Sequence, residues 1–207
     1  MNKILDLSTL ASSFGTTIDD IPKECIELLE KMDKNYRVLE GDERENLIIE
    51  ILEKIDNDKQ VIGAAERTNI WHEGWRENLD SFIDSNYDLS ALMPKFIRKN
   101  QPIRFMGEYI IPNEEHFEHV YFNIFRTWLF QKYFQEYSVI YDIGCGSSYN
   151  LIELCKKFPE KKIYGFDFVK SSVDIVNNLS KHHGYNTEGQ LFNMIEPNFD
   201  IDLEENS

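Results

Sequence analysis

The tightest constraint on this chain is the stretch Val-Ile-Tyr-Asp-Ile-Gly-Cys-Gly-Ser-Ser at 139–148, followed by Tyr-Gly-Phe-Asp at 164–167. Val139, Ile140, Tyr141 and Ile143 are β-formers in a run too short for a helix, which predicts a strand covered on both faces. Gly144 and Gly146 carry no Cβ, so the backbone can turn sharply there and a ligand can approach it. Helical spacing then begins with Leu151, Ile152, Leu154 and Cys155, and Ser148 or Asn150 is the expected N-cap. A second apolar run at 162–167 ends on Asp167, about 20 residues past Gly146, where a βαβ unit sets a carboxylate against a ribose. The pattern is that of a nucleoside-cofactor site; its bland alternative is a glycine turn in an unliganded α/β fold.

Two cofactor classes use such a turn. A dinucleotide site needs Gly-x-Gly-x-x-Gly with a pyrophosphate at the helix N-terminus, and Tyr149 stands where the last glycine is required. The Asp142 carboxylate would repel a pyrophosphate, whereas it suits a ligand carrying an ammonium and a sulfonium. Asp142 to Gly146, as Asp-x-Gly-Cys-Gly, resembles motif I of class I S-adenosylmethionine-dependent methyltransferases. Asp167 matches the acidic residue with which that family binds the ribose hydroxyls. The resemblance implies S-adenosylmethionine as cofactor, bound by Asp142, Gly144, Cys145, Gly146, Asp167 and the adjoining Phe168. Asn193, after the third strand, matches the family's adenine contact. Arg104, upstream of the motif, is a further candidate, its guanidinium suited to the methionine carboxylate; a surface-strand arginine is the alternative. Ser148 departs from the family's usual glycine, and no residue matches a catalytic role.

The resemblance also sets the fold expectation. Val173, Val176 and Leu179 mark a helix over 171–181 with Ser171 as N-cap and Gly184 as stop, and 188–194 reads as a third strand. A methyltransferase domain would then add a fourth strand and three more. The expected fold is therefore α/β: an incomplete Rossmann-like methyltransferase sheet of about three parallel strands, preceded by a mainly helical N-terminal region. Strand 139–143 would be left as an open edge, to be covered by residues before 139, by self-association or another chain, or by a missing C-terminal half. A chain lacking those strands is expected to be inactive in isolation.

Upstream, region 1–112 reads as mainly helical, with helices at 22–34, 42–55 and 61–83 and one extended segment at 103–111. The aromatic helix over 113–136 is grouped with 113–207 and expected to pack on the sheet. Trp71 and Trp75, one turn apart, are either core aromatics or the aromatic wall of a substrate pocket. His116 and His119 sit at i, i+3 spacing with no third ligand, so they read as solvated side chains.

The net charge of −15 over 207 residues disfavours a nucleic-acid partner, because phosphates would be repelled. A small-molecule acceptor, a metabolite or a sugar, is left by elimination. Three scattered cysteines suit neither a disulfide framework nor a zinc site. With no signal peptide and no membrane-length apolar run, a cytoplasmic location is expected. The function expected is methyl transfer to an unidentified acceptor; the alternative is a non-catalytic cofactor-binding or scaffold protein with a helical partner-binding region.

Overall fold

A computed structural model of the chain describes residues 2–57, 65–93, 99–197, 201, 203 and 204, with residues 65–68 described by their backbone alone. The chain divides into two compact units, Met1–Lys59 with Lys95–Tyr133, and Gln60–Pro94 with Phe134–Ser207. The boundary expected between 112 and 113 falls inside the first unit.

The first unit contains β1 (Asn2–Ile4), α1 (Leu7–Ser13), α2 (Lys23–Lys31), β2 (Asn35–Val38), α3 (Gly41–Asn57), β3 (Ile103–Phe105), β4 (Glu108–Pro112) and α5 (Phe117–Tyr133). Its strands form an antiparallel sheet in the order β1-β2-β4-β3. Region 1–112 is mainly helical, as expected, and it also contributes these four short strands, which the sequence does not announce. Strands of three to five residues carry too little alternation to register as a period-2 pattern, and β2 finds its partner far along the chain, with Arg37 opposite Ile111. The single extended segment read at 103–111 is instead a hairpin. Met106 (φ 47°) and Gly107 (φ 85°) make a two-residue loop with both φ positive, the twist that antiparallel strands prefer.

The core of this unit joins Leu10, Phe14, Cys25, Leu29, Tyr36, Phe105 and Ile110 to Phe117, Ile124 and Trp128 of α5. The aromatic helix was expected against the parallel sheet; its buried face belongs to this core instead. The ring of Phe14 lies 5.2 Å from both Phe125 and Trp128. Those ring contacts dry the helix without any parallel strand. By contrast α3, amphipathic in sequence, has no buried residue and exposes Ile49, Leu52 and Ile55.

The second unit contains α4 (Ala65–Asp84), β5 (Val139–Ile143), α6 (Tyr149–Lys157), β6 (Lys162–Asp167), α7 (Lys170–His183) and β7 (Thr187–Leu191). β5, β6 and β7 are parallel neighbours in that order, with Tyr141 opposite Tyr164 and Tyr164 opposite Glu188. This is the expected α/β arrangement, an incomplete Rossmann-like sheet of three parallel strands. Among the described residues β5 pairs only with β6 and so forms an edge.

α7 lies close on the sheet because two strand positions lack side chains. A Cβ on Gly165 would stand 2.6 Å from Val176 Cγ2, and one on Gly189 would stand 2.6 Å from the Val173 carbonyl oxygen. α7 begins after Val169 rather than at Ser171, and it ends on Gly184 at φ 68°. α4 packs along α7, with Phe82 fully buried and stacked on His183 at 6.0 Å. No described helix is long and apolar enough to cross a membrane.

Candidate functional site

The C-terminal ends of β5 and β6 converge on the turn 144–148. Gly144 turns at φ 79° and Gly146 at φ 51°, conformations open to glycine at little cost. The backbone N–H groups of Gly144 and Cys145 both donate to the Phe166 carbonyl, at 2.7 and 3.1 Å, which pins the turn to the end of β6. Ser148, fully buried, precedes α6 in the left-handed region at φ 61° and makes no side-chain cap bond to the helix. Glycine would meet this φ without strain; serine accepts it at a cost.

Asp167 ends β6 and is only 4% exposed. Its Oδ2 accepts the Gly146 N–H and its Oδ1 accepts the Val169 N–H, both at 2.9 Å. A carboxylate oxygen offers two lone pairs, so each still has one for a ligand hydroxyl while the backbone holds the group in a single orientation.

Asp142 differs. Its Oδ2 is buried and has no hydrogen-bond partner. Burial, and then the neighbouring Asp167 carboxylate, push its carboxyl up to about 6. A buried, unpaired carboxylate is costly, and a cation or donor delivered to it would relieve that cost.

Cys145 is buried in the turn, and its thiol is pushed well above the ordinary range by burial, then by Asp142 and Asp167. It is held protonated and serves packing: its Sγ would lie 3.2 Å from a Cβ on Gly165.

The structure brings Asp142, Gly144, Cys145, Gly146, Asp167 and Phe168 to one end of the parallel sheet. Phe168 is 40% exposed and meets the His72 ring edge-on at 5.9 Å. Asn193 follows β7, and its side chain accepts the Ile195 N–H at 3.0 Å, an Asx-type turn of its own. Arg104 is exposed on β3 of the first unit. Trp75 of α4 was not joined to the turn from sequence, yet a Cβ on Gly146 would stand 2.8 Å from its Cζ2. The one available signal was the Trp71/Trp75 spacing, which does not say what the aromatic pair faces. Past β7, the Tyr164 hydroxyl donates to the Glu204 carboxylate and the Glu204 N–H donates to the Tyr141 hydroxyl at 2.7 Å.

No protein-family model matches the sequence, and no curated protein matches it. Among solved structures the chain is similar to coclaurine N-methyltransferase bound to N-methylheliamine and SAH. Identity is 12% and the TM-score 0.39, over 76% of this chain and 52% of that one. This chain spans about half the length of that protein.

Proposed function

We propose that the second unit binds S-adenosylmethionine, as the cofactor-holding part of a methyltransferase acting on a small-molecule acceptor. The observation that carries this reading is Asp142 Oδ2, buried and unpartnered beside a glycine turn at the C-terminal end of parallel strands. Ligands of open α/β sheets bind at that end.

The residues present fit the cofactor's chemistry. Asp142 offers a desolvated carboxylate to a cationic group, where a pyrophosphate would be repelled. Asp167 keeps acceptor capacity on both oxygens, which matches a ribose diol. Gly144 is exposed, and a Cβ there would meet nothing within 4 Å, so a ligand can lie directly on the backbone. When bound, the cofactor would supply an electrophilic methyl group. The chain's own part is to hold it: Asp167 fixes the ribose, the turn bears the amino-acid portion, and Phe168 flanks the base. Asn193, which follows β7, belongs to the same reading as a secondary contact.

Calorimetric titration with S-adenosylmethionine, S-adenosylhomocysteine and NAD tests it. Binding of either adenosyl compound with no binding of NAD is expected, and tighter binding of NAD overturns the assignment. Asp167→Ala should weaken binding by about 2–4 kcal/mol, since two charge-assisted hydrogen bonds are lost.

One observation favours the second reading, a partner-binding protein. α3 leaves Ile49, Leu52 and Ile55 exposed along a single helix. Scattered surface apolar residues are ordinary, whereas a stripe with helical spacing marks an interaction face. If that face is used, Leu52→Glu should abolish complex formation and leave cofactor affinity unchanged.

A further inference from the structure

We propose that Trp75 is a cation-selecting wall of this site: its indole face and the carboxylates of Asp142 and Asp167 surround one turn and together favour a ligand bearing compact positive charge. The proposal rests on the cofactor reading above and adds a residue and a selectivity that motif I does not contain. The contact itself is specific. A Cβ on Gly146 would lie 2.8, 3.1 and 3.3 Å from Cζ2, Cη2 and Cε2 of Trp75, three adjacent ring atoms. Near-equal distances to adjacent atoms mean that the ring presents its face; approaching edge-on, one atom would lead and its neighbours would fall well behind.

The tryptophan pair is only partly withdrawn from solvent. Trp75 is half-buried, and Trp71, stacked on it at 5.8 Å, is 47% exposed. The ring rests on the backbone of a glycine whose N–H is donated to Asp167, within the turn that follows Asp142.

The face of an indole carries the negative lobe of its quadrupole. Around this turn it adds to a carboxylate whose buried Oδ2 has no partner and to one that accepts two backbone N–H groups. The neighbouring charge that helps push the Asp142 carboxyl up to about 6 reports the same negative field. An ammonium or a sulfonium is attracted by all three groups, whereas a neutral isostere loses the attraction of the ring and the full charge term of the carboxylates. Gly146 is thereby constrained twice, by its positive φ and by the ring above it.

The test separates charge selection from simple packing. The full chain as wild type, Trp75→Phe and Trp75→Leu is titrated calorimetrically with three ligands: S-adenosylmethionine, S-adenosylhomocysteine and a deaminated S-adenosylhomocysteine. The first pair differs by the sulfonium charge and the second by the ammonium. In Trp75→Leu at least one of the two affinity ratios should collapse by about fivefold, and Trp75→Phe should retain most of it. Trp71→Phe combined with Trp128→Phe leaves Trp75 as the single tryptophan of three, and its fluorescence should change on saturation with S-adenosylmethionine. Equal losses for all ligands, or unchanged ratios, overturn the role of Trp75 while the cofactor reading stands. Failure of the wild type to bind any of the three overturns both. Should Trp75→Leu not fold by circular dichroism, the fluorescence response decides, and its absence at saturation overturns the proposal.

Discussion

The two units differ in how many polar residues they bury. Tyrosine and tryptophan aside, the described buried polar side chains of the first unit reduce to Thr127, whose hydroxyl donates to the Asn123 carbonyl one turn back. The second unit buries Asn78, Ser147, Ser148, Lys161, Asp167, Ser172 and Thr187. Some are satisfied: the Lys161 ammonium donates to the Gln135 and Tyr137 carbonyls at 2.8 and 2.5 Å. Others are not, since Ser148 Oγ and Ser172 Oγ have no partner, and neither has Oδ2 of the half-buried Asp142. Aromatic residues are buried in both units, around Phe14 in the first and at Phe82, Phe158 and Phe166 in the second, while Trp71 and Phe168 of the second stay exposed. The difference is one of degree, since Trp128 Nε1 of the first unit is also buried without a partner, and each such atom carries a desolvation cost.

The contrast can be broken most severely in the first unit. Ile124 is fully buried in that core, so Ile124→Ala should cost about 3–4 kcal/mol in denaturant unfolding. Cofactor affinity, measured well below the transition, should not move. If it falls in proportion to stability, the division of labour between the units is wrong.

Gly146→Ala comes next, with a loss of about 2–3 kcal/mol from the positive φ and the Trp75 contact together. Adding Trp75→Ala should restore part of that loss. A strictly additive double variant would show that the ring contact contributes nothing.

Asp142→Asn should act in the opposite direction. The folded-state carboxyl titrates near 6, above its ordinary 3.8. Between roughly pH 4 and 6 the folded chain therefore holds a proton that the unfolded chain has released, and stability falls as pH rises through that window. At pH 7.5 the asparagine variant should be more stable by up to about 2–3 kcal/mol, and the fall should vanish from its pH profile. The wild type should bind a cationic cofactor more tightly as pH rises through 6, a trend that the variant should lose.

The smallest effect belongs to the exposed Lys3–Glu108 pair at 2.7 Å. Lys3→Ala should leave the melting temperature unchanged within error, because exposed ion pairs are solvated and screened. A clear drop would mean that the first sheet depends on more than its core.

The parallel sheet was legible because a βαβ segment announces itself locally. Val139 to Ile143, the glycines and Asp167 lie within one short span, and each strand's partner is the next strand along the chain. The antiparallel sheet was not legible, since β1 to β4 are short and pair across most of the first unit's sequence. The aromatic helix α5 announced that it would be buried but not against what, because an apolar face is complementary to any other apolar face.

By itself, the sequence determined the turn, its two carboxylates and the acidic surface, all properties of side-chain type and short spacing. Only the tertiary structure decided that Asp142 Oδ2 is buried without a partner while Asp167 is held by the Gly146 and Val169 N–H groups. It alone laid Trp75 on Gly146, and it alone assigned α5 to the first unit's core. The physical reason is common to all of these. Hydrogen-bond satisfaction, desolvation and ring contact depend on atoms a few ångströms apart in space, and residues such as 75 and 146 meet only once helix and sheet have packed.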